Sequence, residues 1–370
     1  MNENRYDLKV GTPDIRSLGP IAFGPAGILF LADNTSAKVF AIDVADPDAG
    51  PDTRPGAGPL ALDDVDTVVG SLLGCTPDDV LIQGMAVHPV SRNVYLAVQR
   101  GRGEDSLPVL VRIKRADTSV EALALDDVPF SEVSIAHAPD ADAPLDLTVS
   151  GESVGDPYEL KDGRTIHLVR LPGRTATVTD LAYVDGDLLV AGLSNEEFSS
   201  RLRRIPFPFT DSAADAGLEI FHVSHGKWET KAPIRTFVPY DDGRSILAGY
   251  TCTPVVRIPL DELSEGGKIV GRTVAELGFG NQPLGMATFV ADGREHLLVA
   301  NSSRSLMKID CADLDKQEPL TEPKEPLGAP RENKDIPGIV RLANLDSEHV
   351  LALQWEDGRR RLLSLQVDSL

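Results

Sequence analysis

Short apolar runs alternate with polar turns along the whole chain, and the alternation itself repeats. One unit reads as a small-apolar segment, a turn with Gly or Asp, an apolar segment, a polar turn, then a segment carrying a basic residue. The first copy is Gly19-Pro20-Ile21-Ala22-Phe23, Ile28-Leu29-Phe30-Leu31-Ala32 and Lys38-Val39-Phe40-Ala41-Ile42. Its middle segment returns as Val94-Tyr95-Leu96-Ala97-Val98, Leu188-Leu189-Val190-Ala191-Gly192 and Ile246-Leu247-Ala248-Gly249-Tyr250. It returns twice more as Leu297-Leu298-Val299-Ala300-Asn301 and Val350-Leu351-Ala352-Leu353. Segments this short, rich in Leu and β-branched residues and bounded by Gly, Asp, Asn or Pro, read as strands. Helical periodicity is not sustained anywhere, and Leu260-Asp261-Glu262-Leu263 is a turn at most.

Units of three or four strands recurring roughly every 50–65 residues predict an all-β fold, a β-propeller of six blades. A β-sandwich does not repeat one motif in register. One interval, between the second and third copies, is longer, and 120–175 lacks the small-apolar signature. It is expected to hold an outer strand and an inserted hairpin within a single domain, 1–370; a degenerate seventh blade is the alternative. The segment Tyr6-Asp7-Leu8-Lys9-Val10 is expected to pair in the last blade and remove its free edge. Asp46 to Asp66 reads as a long exposed loop, and Leu320 to Pro337 as a loop or ragged edge.

Charge narrows the partners. The 370 residues carry 36 basic and 57 acidic side chains, a net charge of −21. Such a surface repels phosphate backbones and anionic lipid, so neither a nucleic acid nor a membrane is the expected partner. The cysteines, Cys75, Cys252 and Cys311, are three and widely spaced, which argues against a disulfide framework and for a reducing compartment. With no apolar leader at the start, the expected location is the cytoplasm. A periplasmic or secreted home would require a leader cleaved before this sequence begins.

The phrases Leu31-Ala32-Asp33-Asn34-Thr35-Ser36-Ala37-Lys38-Val39 and Val299-Ala300-Asn301-Ser302-Ser303-Arg304-Ser305-Leu306-Met307-Lys308-Ile309 resemble the NHL-type repeat pattern. Nearly the whole chain is similar to the broad NHL, gluconolactonase and strictosidine-synthase-like group of propellers. That resemblance implies the fold. It also implies a choice among lactonases with a divalent metal in the central channel, lyases and non-catalytic interaction modules. The lactonases of that group carry a Glu at the start of the first inner strand, where this chain has Gly19-Pro20.

In a propeller, the loops between second and third strands share a face with the links into the next blade. That places Asn34, Asn195, Asn301 and Arg304 on one rim, with Gln83, Asp180, Arg235 and Gln282 opening inner strands toward the channel. His225, Glu229 and Cys252 fall on the same predicted face, near Arg235. His, Glu and Cys are the side chains of metal binding and proton transfer, so His225, Glu229, Arg235 and Cys252 are the candidate catalytic residues. His225 and Cys252 would be the ligands of a divalent or transition metal ion. His222 and His225 differ by an odd number and would face opposite ways on a continuing strand, unless a turn starts between them; His225 is favoured. Asn34, Gln83, Asp180, Asn195, Gln282, Asn301 and Arg304 are the candidate ligand-binding residues. Three Asn carbonyls converging would suit calcium. An Arg at the mouth suits an anionic ligand with a carboxylate or phosphate. The plainer readings are that His225 packs a blade link, Cys252 fills the core and the Asn residues shape turns.

The expected function is therefore a small-molecule enzyme or ligand-binding propeller with its site at the channel mouth, a metal-assisted hydrolase or oxidoreductase if an enzyme. The alternative is a non-catalytic scaffold for a protein partner. Aromatic residues, 5% of the chain, leave few side chains for a docking patch.

Overall fold

The computed structural model describes residues 6–50, 58–149, 156–159, 165–210, 212–251, 253–264, 266–278, 280–323 and 328–370. Six blades form a ring, numbered here in the chain order of their inner strands. The first three strands of blade one are Ile21–Phe23, Ile28–Asp33 and Lys38–Asp43. Blades two to six begin at Val80, Asp180, Ile234, Pro283 and Ile339. The second strands Ile28–Asp33 and Ser245–Tyr250 are buried at every position, and those of the other blades are buried except at one end. Each lies between two neighbouring blades and buries both faces, so its sequence is continuously apolar rather than alternating. Inner strands crowd the axis, which explains their small residues. A Cβ on Gly285 would lie 2.9 Å from the Leu342 nitrogen, and one on Gly84 would lie 2.7 Å from the Gly19 oxygen.

The ring does not follow chain order. The inner strand of blade one packs against those of blades two and three, and the series continues three, four, five, six. Blade six then meets blade two. Going round, the order is one, three, four, five, six, two. Each of the six seams is filled by its own apolar cluster. At roughly 25 cal/mol per Å² of buried apolar surface, these seams are the main source of stability.

The long interval between the second and third copies makes this order workable. Val120–Leu123 is the fourth strand of blade two, but Val128–Ser134 crosses back to become the fourth strand of blade one. Further along, Pro144–Val149, Asp156–Glu159 and Thr165–Pro172 pair as a separate three-stranded sheet. The interval thus supplies fourth strands to two different blades and a separate three-stranded sheet, and the described residues form six blades.

The expected closure is not the one formed. Lys9–Gly11 pairs with Val128–Ser134 on the outer edge of blade one, not with blade six. The edge of blade six is already taken by Ala61–Leu62, which pairs with Leu363 and Leu362. The stretch expected to be a loop, Asp46 to Asp66, is in part a strap. The Asp46 carboxylate accepts from Ser91 Oγ, Asn93 Nδ2 and Tyr95 OH of blade two, the last at 2.7 Å. The Leu60 amide then donates to Ser364 Oγ at 2.8 Å. The helix Val65–Leu73 follows, burying Val65 and Val69 one turn apart and ending on left-handed Gly74. Leu260-Asp261-Glu262-Leu263 is a turn, and a second short helix is Cys311–Lys316. Among the described residues, no helix is long and apolar enough to cross a membrane.

Candidate functional site

Four inner strands carry a register shift at the same point, at Gln83, Arg235, Leu284 and Val340. A β-bulge re-aims the extra side chain out of the pleat. In blade four that side chain is Arg235. Its electrostatic partner is Asp180, the first residue of the inner strand of blade three. Asp180 also feels Arg341, from blade six, which stands opposite blade three in the ring. Side chains from blades three, four and six meet only inside the ring, so these three residues occupy the channel.

The carboxylate is held firmly. Asp180 Oδ2 accepts the Phe237 amide at 2.8 Å, and Oδ1 accepts its neighbour Leu181 at 2.9 Å. Burial pushes the Asp180 carboxyl up to about 6, against the pull of those amides, the Thr236 hydroxyl and the Arg341 charge. The guanidiniums are less well served. Arg341 Nη2 donates to the Ile82 carbonyl at 3.3 Å, and burial together with the Arg235 charge brings Arg341 down to about 10. Burial lowers Arg235 as well. Arg235 Nε is buried with no hydrogen-bond partner. Among the described residues, no ion pair joins Asp180 to either arginine. A buried charge left in this way costs several kcal/mol unless something meets it. The group can hold an anion between two guanidiniums, beside a carboxyl that exchanges a proton near neutral pH.

The second cluster lies at the outer edge of blade three. The fourth strand, Ala214–His222, runs into a 3₁₀ turn, Val223–His225, and returns as Lys227–Glu229. Gly226 ends the turn in the left-handed region at φ 63°. The turn begins between the two histidines, so the period-two argument does not apply and their rings stand 3.9 Å apart. His222 is buried, whereas His225 is exposed. Glu229 joins them, with Oε2 2.5 Å from His222 Nδ1 and Oε1 3.0 Å from His225 Nδ1. Lys227 Nζ also reaches Oε1, at 3.0 Å. Burial alone would raise the Glu229 carboxyl, but the hydrogen bonds from His222, His225 and Lys227 outweigh it and hold it well below the usual range. Among the described residues, His222, His225 and Glu229 are the one His, Cys, Asp or Glu group able to hold a metal ion.

The residues expected to share one site therefore fall into two. Arg235 joins Asp180 and Arg341 in the channel, while His225 joins Glu229 and His222 at a blade edge. Cys252 lies outside the described residues. The asparagines are committed to turns and links rather than converging on one point. Asn34 Nδ2 donates to the Thr175 and Val178 carbonyls and its Oδ1 accepts from the Val178 amide, pinning the link into blade three. Asn301 Oδ1 accepts from Asn281 at 2.8 Å, and its amide donates to Val299 and Ser305. Asn195 is exposed, and its backbone amide donates to the His137 carbonyl. Gln83 is exposed at its bulge. Gln282 is buried with Nε2 unpartnered, and its backbone clasps Ser302. Arg304 lies over Gly278, where an added Cβ would come 2.5 Å from Nη2. Sequence reasoning missed Arg341; its place in the sixth copy matches Asp180 in the third, which was the available signal.

No protein-family model and no curated protein matches the chain. Solved structures do. The virginiamycin B lyase of Staphylococcus aureus aligns over 98% of this chain and 100% of its own, at 12% identity and a TM-score of 0.38. A streptogramin B lyase aligns over 98% of both chains, at 10% identity and 0.39. The WD40 repeats of RRP9 align over 97% of both, at 10% and 0.42. The chain is similar in outline to lyase and WD40 propellers alike, and at this distance the likeness carries no function across.

Proposed function

We propose that this propeller binds a small anionic molecule, a carboxylate or a phosphate, in its central channel. Arg235 and Arg341 are the anion-holding groups and Asp180 is the proton-exchanging one. The observation that carries this reading is the buried Arg235 Nε, unpartnered at a bulge that aims it into the channel. An incoming oxyanion would supply the missing acceptor. If the channel is catalytic, Asp180 is its general acid or base, since a carboxyl near 6 holds either protonation state at working pH. Metal assistance, in a hydrolase or an oxidoreductase, would have to reach the channel from elsewhere, because the His/Glu cluster sits at a blade edge.

A protein-binding scaffold is the second reading. Large exposed apolar side chains are few among the described residues, which favours the channel reading over a broad apolar docking patch. Calorimetric titration with inorganic phosphate and with mono- and dicarboxylates tests the proposal. Saturable binding lost in Arg235→Gln is expected. Equal behaviour of the two proteins across the whole panel would reject it.

A further inference from the structure

We infer that His222, His225 and Glu229 form a divalent transition-metal site on the outer edge of blade three, separate from the channel. Two imidazoles and one carboxylate are a ligand set suited to zinc and its neighbours. The three ligand atoms already lie within 4.8 Å of one another. Ligands at 2.0–2.2 Å from a tetrahedral ion stand roughly 3.3–3.6 Å apart. The two Nδ1 atoms lie 2.5 and 3.0 Å from different oxygens of Glu229, so a site using one carboxylate oxygen needs the carboxylate to turn and these contacts to open by roughly an ångström. The fourth position would fall to water on the exposed His225 side.

The scaffold beneath the cluster is fixed from several directions. In the hairpin, Phe221 faces Trp228 and His222 faces Lys227. The Thr273 hydroxyl, from the outer strand of blade four, donates to the Phe221 carbonyl at 2.7 Å. Ser224 Oγ lies 3.5 Å from Thr253 Oγ1. Gly226 meets Pro323, where a Cβ would lie 2.8 Å from the proline ring. Two ligands at the ends of a pinned hairpin and a third in its turn leave little chain entropy to lose on binding. The Lys227 ammonium on Oε1 occupies the place of a cation. Its side chain is mostly exposed, so it can swing into solvent when an ion arrives. On binding, each Nδ1 must give up its proton, to Nε2 of the same ring or to water, while the carboxylate is already ionised.

The test is a Co2+ titration of chelator-treated full-length protein, read by the visible absorption of four-coordinate Co2+ and by quenching of Trp228, with Zn2+ as competitor. One saturating equivalent is expected, displaced by Zn2+. Glu229→Gln and His225→Ala should each weaken it at least about tenfold, the loss that even a supporting residue causes at a metal site. His225 is exposed, so its variant should fold, and circular dichroism checks that it does. Lys227→Gln should bind several-fold more tightly, because it removes the competing ammonium; a purely structural His–Glu–Lys network would show no such gain. Absence of saturable binding overturns the inference. So does binding that is unchanged in both ligand variants, which would place the ion among surface carboxylates.

Discussion

Arg341 Nη2 donates to the Ile82 carbonyl at 3.3 Å, so a guanidinium of the channel also ties blade six to blade two. Arg235 has no such commitment. The two arginines should therefore separate experimentally. Arg235→Gln is expected to lower anion affinity by roughly tenfold to a hundredfold, the worth of about 1.5–3 kcal/mol for a charged hydrogen bond. It should also raise the stability of the unliganded protein by roughly 1–3 kcal/mol, since a buried donor with no acceptor is removed. Arg341→Gln should lower affinity and melting temperature together. Calorimetry and thermal denaturation of both variants check this.

Asp180 sets the pH dependence. Its carboxyl is raised from the ordinary 3.8 to about 6 in the folded protein. The folded state thus prefers the protonated form, and its stability falls as pH rises between about 4 and 6. Asp180→Asn removes that penalty, so the variant should gain on the native protein across the same window and level off above it. Anion affinity runs in the same direction. Below about 6 the carboxyl is neutral and two guanidiniums act unopposed; above it, one negative charge sits beside the ligand. Affinity should therefore rise on acidification from pH 7.5 to 5.5, and the trend should vanish in Asp180→Asn.

The strap, and not the first strand, pairs with the edge of blade six. Leu60 is fully buried in the seam between blades six and two. Leu60→Ala should cost about 2–5 kcal/mol, the range for a truncated core leucine. Leu62→Pro should speed hydrogen exchange at the Leu362 and Ser364 amides, which face the two-residue strand, because that pairing is lost. Deletion of residues 1–11 should leave those amides protected. Loss of protection there on that deletion would restore closure by the first strand.

The blades were legible because their second strands are buried on both faces and must be apolar throughout, as in Ile28–Asp33. Their order in the ring was not. Pairing between Leu62 and Leu362 spans almost the whole chain and leaves no local mark. The strand Val128–Ser134 carries nothing in its sequence to say whose edge it joins. The helix Val65–Leu73 is short, contains Gly70 and follows a stretch rich in Asp, Pro and Gly, so its period is hidden. At the sites, Arg235 and Asp180 were visible as polar residues opening inner strands. Arg341 was not, since the register shift at Val340 that brings it level with Asp180 leaves no mark in the residue pattern. His222 was set aside by a strand periodicity that the turn at Val223–His225 interrupts.

The channel reading is tested most directly by diffraction from crystals soaked in selenate, an anion that needs no knowledge of the natural ligand. An anomalous peak within hydrogen-bond reach of Arg235 Nε, absent from Arg235→Gln crystals, is the result expected. Selenate found only on the outer surface, with the space between Arg235, Arg341 and Asp180 filled by ordered water, would contradict it.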